Sequence, residues 1–173
     1  MTQPVVLIVG AHHEEVEAEF PNLAAALSLA GCRVVILNPI GGWNWTAIRS
    51  LEGDGRARTI ADATAAAAAL GCEKVIWDYP VALVPEHQGE LKHRLAAFFC
   101  DLQPDILLMH WPKDGHPDHR AVANLTRHVA SAGSTSAMRS QMACMISRVR
   151  TWEPVHRRLR AMWIRAAALI SMA

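Results

Sequence analysis

The chain has 173 residues, 51% of them hydrophobic, which is enough to bury one sizeable core and leaves little room for a second full domain. Its formal charge of +1 hides an asymmetry, because residues 131–173 hold seven Arg and one Glu, a net +6, leaving −5 for residues 1–130. An acidic body lacks the basic stripe of a nucleic-acid groove, so no nucleic-acid partner is expected.

Cys32, Cys72, Cys100 and Cys144 show no CxxC spacing and read as reduced and buried, which makes the cytoplasm the expected compartment. The opening "MTQPVVLIVGA" has no basic leader and too short an apolar run for a signal peptide or a span. Near the other end "MWIRAAALISMA" is short and carries Arg165, so no membrane span is expected there either.

In chain order, Val5 to Val9 is a continuous, largely β-branched apolar run, the pattern of a strand covered on both faces. "PNLAAALSLA" from Pro21 to Ala30 follows as a helix with Pro in its first turn and Gly31 as its stop, and "RVVILN" is a second buried strand. "PIGGWNWTAIRSLEGDG" reads as a long loop with a short helical turn from Thr46 to Leu51, and its Trp43 and Trp45 offer flat apolar rings for a sugar rim or for local packing. "ARTIADATAAAAAL" is a helix ended by Gly71, its alanines giving a small face that lets it lie close to a sheet, and "KVIWDY" is the third strand.

Residues 89–100 form an amphipathic helix with Leu91, Leu95 and Phe98 on one side. "PDILLMH" is the fourth strand, and "RAVANLTRHVA" is a helix after the turn "WPKDGHPDH". The alternation predicts an α/β fold: a Rossmann-like, mostly parallel sheet flanked by helices on both faces, with an atypical C-terminal tail. Residues 1–130 would form that domain and residues 131–173 a divergent basic, helical segment.

Ligands in such sheets sit at the carboxyl ends of strands, and both histidine-rich segments fall there. His12 follows the first strand, and His110, His116 and His119 follow the fourth, so one pocket can collect them. Gly10, Gly41 and Gly42 do not form a dinucleotide fingerprint, since no GxGxxG follows the first strand. His12, Glu15 and His119 would supply two imidazoles and a carboxylate, a donor set suited to catalytic zinc. Bound zinc acidifies water and polarises a carbonyl, with Glu14 placed to take a proton. His116 would stabilise an oxyanion or protonate a departing amine, and Asp118 would fix the orientation of a histidine.

Each cluster alone also has a plainer reading. "HHEE" can be a solvated helix start favoured by the helix dipole, and "HPDH" a turn in which Asp118 caps the next helix. Their joint placement at the ends of strands that can be neighbours favours the metal site. His13 is given no role, and His87, His93, His128 and His156 read as ordinary surface or core histidines.

"VVLIVGAHHEE", "LAAALSLAGCRVVIL" and "PDILLMHWPKDGHPDHRAV" together resemble the zinc-dependent N-acetylglucosaminyl deacetylases, the LmbE-like or PIG-L family, over about residues 4–130. That family's His-Pro-Asp-Asp-Glu motif falls on His12, His13, Glu14, Glu15 and Val16, and its His-Pro-Asp-His motif is matched in full by His116, Pro117, Asp118 and His119. The resemblance implies a Rossmann-like fold, Zn2+ held by His12, Glu15 and His119, Glu14 as general base and His116 as the assisting histidine. The implied substrate is a small N-acetylated amino-sugar conjugate, which would lose its acetyl group.

The departures are specific. Both aspartates of the first motif are glutamates here, Val16 replaces an acid, Pro21 and Asn22 replace a glycine pair, and Asp62 stands where the family commonly has Glu. A carboxylate moved out by one methylene can keep a metal while losing rate, so the alternative is a weak or inactive metal- or sugar-binding protein on the same scaffold. The tail from Ser131 shows no strand alternation and holds five of the seven Met; a helical closure, a basic interaction segment and the product of a shifted reading frame are its candidate readings. A sheet edge left open by a short C-terminus would favour a homo-oligomer.

Overall fold

A computed structural model describes residues 3–42 and 55–132. The elements run β1 (Val5–Val9), α1 (Glu15–Glu19), α2 (Pro21–Leu29), β2 (Arg33–Gly42), α3 (Gly55–Ala69), β3 (Glu73–Pro80), a 3-10 turn (Val84–His87), α4 (Gln88–Leu102), β4 (Ile106–Met109) and α5 (Pro117–Ala132). The strands form one parallel sheet in the order β3-β2-β1-β4. Trp43, Trp45 and the stretch expected to turn from Thr46 to Leu51 lie outside the described residues, as do Cys144, His156 and the tail beyond Ala132.

The apolar run of β1 is central because both of its faces find cover. On one face Leu7 and Val9, with Val35 and Leu37 of β2 and Trp77 and Tyr79 of β3, pack against α4 and α5. On the other, Val6 and Ile8, with Val34 and Ile36, pack against Val16 of α1, Ala24 and Leu27 of α2 and Ala67 of α3. Helices therefore cover both faces. The alanine run works as expected from its size, with Ala63 and Ala67, four residues apart, turned to the sheet while the residues between them stay exposed.

Two expectations are corrected. In α4 the buried stripe is Leu91, Leu95 and Phe99, spaced by fours, and Phe98 sits at the margin with its ring edge-on to Trp77 at 5.8 Å. Full burial of each such side chain contributes roughly 1.5–3 kcal/mol. The second correction lies in "PIGG", expected to open a loop, which instead continues β2 in parallel pairing as far as Gly42↔Pro80, through register shifts on either side of Ile40. Gly41 permits this, because a Cβ there would lie 2.3 Å from the carbonyl oxygen of Trp77.

The chain steps from β1 to β2 to β3 and then returns to the far side of β1 as β4. The gap between β1 and β4 is thus the point where strand order reverses, and the loops leaving these two strands diverge around a crevice. No helix among the described residues is long and apolar enough to cross a membrane.

Candidate metal centre

The loop after β1 is built by its neighbours. Gly10 donates its N–H to the Leu37 carbonyl and Ile40 donates to the Ala11 carbonyl, so β1 stays paired with β2 past its formal end. The fully buried Asn38 donates from Nδ2 to the His12 carbonyl at 2.5 Å. Gly10 is required for that approach, since a Cβ there would lie 2.5 Å from Asn38 Nδ2. From below, Lys74 Nζ donates to the His13 carbonyl at 2.7 Å.

α1 then starts at Glu15, whose side chain folds back into the loop. Its Oε2 accepts the N–H groups of Ala11 at 2.8 Å and His12 at 3.0 Å and lies 2.7 Å from His110 Nε2. Its Oε1 lies 2.6 Å from His12 Nδ1 and 2.5 Å from His119 Nε2.

The loop after β4 braces itself. Asp114 Oδ1 accepts the His116 N–H at 2.7 Å, Pro117 opens α5, and Arg120 Nη1 donates to the carbonyls of Asp114 and Gly115 at 2.8 and 2.7 Å. In the first turn of α5, Asp118 is 1% exposed; its Oδ2 lies 3.0 Å from His12 Nε2 and accepts the Ala82 N–H at 3.0 Å, bringing in the loop after β3. Asp118 Oδ1 is buried without a hydrogen-bond partner among the described residues.

Among the described residues, three groups of side chains bring ligand atoms within 4.8 Å of one another: His12, Glu15 and His119; His12, His116 and Asp118; and His110, Asp114 and His119. Ring geometry separates them. His110 and His119 stack at 4.1 Å with planes 14° apart, and nearly parallel stacked rings hold their lone pairs in separate parallel planes, not at a common point. His12 and His119 are tilted by 56° and both address Glu15 Oε1.

Behind them, His12 Nε2 meets Asp118, and His119 Nδ1 lies 3.3 Å from Asp114 Oδ1, an ion-pair distance without hydrogen-bond alignment. A carboxylate at the far nitrogen is the usual support of a metal-binding imidazole. The donor set therefore fits a divalent cation. Ligand atoms around a tetrahedral ion stand about 3.4 Å apart, so Glu15 would draw back by about 0.8 Å from the contacts seen here, within reach of its flexible side chain.

Charge follows from the contacts. Burial opposes a charge on His12, but hydrogen bonds to Asp118 and Glu15, with their charges, raise its pKa from 6.5 to about 9. Burial would favour neutral Glu15, yet hydrogen bonds from His110, from the His12 ring and from the His12 backbone hold its carboxyl well below the usual range. Asp118 is likewise held low, as bonds from His12 and the Ala82 N–H outweigh its burial. His116 is pushed below the ordinary imidazole value by burial and by neighbouring His119 and His12.

Of the residues singled out from sequence, His12, Glu15, His119 and Asp118 stand in contact, and His116 sets its ring 5.0 Å from His12 and 4.5 Å from His119. Glu14 does not join them; its side chain is 58% exposed and pairs with His13 Nδ1 at 3.1 Å. His13 is itself buried. Sequence reading brought His110 to this pocket without giving it a role, and it left out Asp114, Asn38 and Lys74. Asp114 sits within the turn that carries the second motif, and a buried-strand pattern interrupted by a polar residue marks the other two.

A doubly covered parallel sheet with a cation-donor set at its strand-order reversal is a ligand-binding arrangement that serves many chemistries. The chain belongs to the GlcNAc-PI de-N-acetylase (PIG-L) family, whose sequence profile matches residues 7–130. By structure it is similar to a 4-carboxy-2-hydroxymuconate hydratase from Pseudomonas putida, with TM-score 0.64 and 20% identity over 79% of this chain and 59% of that one. It is also similar to the N,N'-diacetylchitobiose deacetylase of Pyrococcus horikoshii, with TM-score 0.67 and 22% identity over 80% and 54%. The zinc-inhibited form of a teicoplanin deacetylase matches with TM-score 0.67 and 12% identity over 86% and 84%. The chain thus spans less than two thirds of the length of the first two of these relatives. No curated protein matches it in sequence.

Proposed function

We propose that the protein is a metal-dependent amidohydrolase that removes the acetyl group from an N-acetylglucosamine-type conjugate. The observation carrying this reading is the convergence of His12 Nδ1 and His119 Nε2 on one oxygen of Glu15, in the crevice between β1 and β4. Those three residues hold the divalent cation, zinc in this reading, which supplies a Lewis acid for the amide carbonyl and makes water more acidic.

Within the chain, Asp118 fixes the His12 ring. Glu14 is the base: its exposed carboxylate leaves His13 to accept a proton from the attacking water. His116 Nδ1 accepts the Asp118 N–H at 3.2 Å, which leaves Nε2 as the nitrogen that assists the departing amine. Acetate and a free amino sugar are the products. Deacetylases among the similar structures support the class of reaction, and the muconate hydratase shows that the same fold also carries a different one.

A second reading, a metal or sugar binder with little turnover, is favoured by one observation: Glu14 pairs with His13 and not with the cluster. Metal content and deacetylase activity measured on one sample separate the two, with wild type beside Glu14→Ala. One metal per chain, with turnover that the substitution reduces by roughly 100-fold or more, fits the hydrolase. One metal with no turnover in either protein fits the metal binder, and a wild type without metal overturns the hydrolase and the metal binder together.

A further inference from the structure

Lys74 stands where the fold calls for an aliphatic residue. The pairing registers align Leu108 of β4, Ile8 of β1, Ile36 of β2 and Lys74 of β3 in one row across the sheet. The neighbours in that row, Ile8 and Ile36, face the layer of α1, α2 and α3. Strand alternation puts Lys74 on the same face, opposite Val75 and Trp77, which pack on the other. Its side chain is only 1% exposed. Burying an ammonium there costs several kcal/mol unless partners compensate, and an isoleucine would carry no such cost.

The compensation is directed at the first histidine loop. Lys74 Nζ donates to Glu17 Oε1 at 2.6 Å and to the His13 carbonyl at 2.7 Å. Glu17, one helical position past Val16, has a side chain only 7% exposed, and its Oε2 is buried with no hydrogen-bond partner among the described residues. The ammonium thus ties together the backbone between His12 and Glu15 and the helix that Glu15 begins. Asn38 holds the His12 carbonyl from β2, and Lys74 holds the next carbonyl from β3.

We infer that Lys74, paired with Glu17, is a positioning residue for the cation site: by fixing the His13 carbonyl it holds His12 and Glu15 at their mutual spacing. The inference rests on the proposed metal-binding role of those two residues and extends it to a strand remote from both motifs.

The test pairs Lys74→Met with the double variant Lys74→Met/Glu17→Leu. The double variant replaces the buried ion pair by apolar groups and is expected to stay folded, since such replacements are often neutral or stabilising. Zinc affinity by chelator competition should fall about 10- to 100-fold in it, the usual cost of losing an outer support. In chelator-treated protein, amide hydrogen exchange over residues 11–17 should speed up while β1 and β2 stay protected.

A folded double variant with wild-type zinc affinity and unchanged exchange overturns the inference alone. If wild type binds no zinc, the functional reading falls; the exchange measurement then still decides whether Lys74 fixes the loop.

Discussion

The two histidine-bearing loops reach the same crevice by opposite means. The β4–α5 loop is braced by its own short sequence: an aspartate caps the turn, Pro117 opens the helix, and Arg120 clasps the two carbonyls just before it. The β1–α1 loop has little local support apart from Glu15 and is held by Leu37, Asn38 and Ile40 of β2 and Lys74 of β3. A self-braced loop must keep its residues, and here it keeps the His-Pro-Asp-His motif in full. A loop held from outside tolerates other residues of its own, and here Glu14 and Glu15 stand where the resemblance implies aspartates.

Breaking the junction between the loops should have the largest effect. Glu15→Ala removes the carboxylate that meets His12, His110 and His119, and zinc affinity should drop by at least roughly 100-fold. Chelator competition reads this directly, and a variant within threefold of wild type would remove Glu15 from the ligand set.

Next in size is a pH effect on chelator-treated protein. The His12 pKa is higher in the fold than the ordinary 6.5, at about 9, so the charged ring's contribution is fully present below 6.5 and is lost as pH rises through 9. Urea unfolding at the two ends of that window should differ by ~2 kcal/mol after allowance for solvent screening, and His12→Gln should flatten the difference. A stability that rises with pH equally in both proteins would show that His12 does not carry the charge.

The smallest effect sharpens the contrast between the loops. Asn38→Ala, which strips a buried bond from the first, should cost about 1–3 kcal/mol, whereas Arg120→Ala at the second should cost about 1 kcal/mol or less. Thermal unfolding of the two variants gives the comparison, and equal costs would mean that the loops are not supported differently.

The same contrast explains what could be read from sequence. The strands were legible because a sheet covered on both faces requires continuous apolar runs, and the second motif because its supports are its sequence neighbours. His110 was placed at the pocket without a role, and Asp114 was missed, because their contacts, with Glu15 and His119, depend on ring placement and not on spacing. Lys74 and Asn38 were missed because strand periodicity counts a polar residue as an interruption, while the registers reveal what it reaches. Phe99 displaced Phe98 because helix α4 meets the sheet along a line of fours, and "PIGG" joined β2 because β3 was long enough to pair with it.

β4 is the shortest strand among the described residues, pairing with β1 only from Val6↔Ile106 to Val9↔Met109, and most of the described chain lies between the two. Closing so long a loop precedes any reward from the contacts it allows, so this pairing is suited to form late and open early. His12 and Glu15 arrive with β1, His110 and His119 with β4. The imidazole cluster is therefore complete only when the last described strand has docked, and its integrity reports on the pairing of all four described strands.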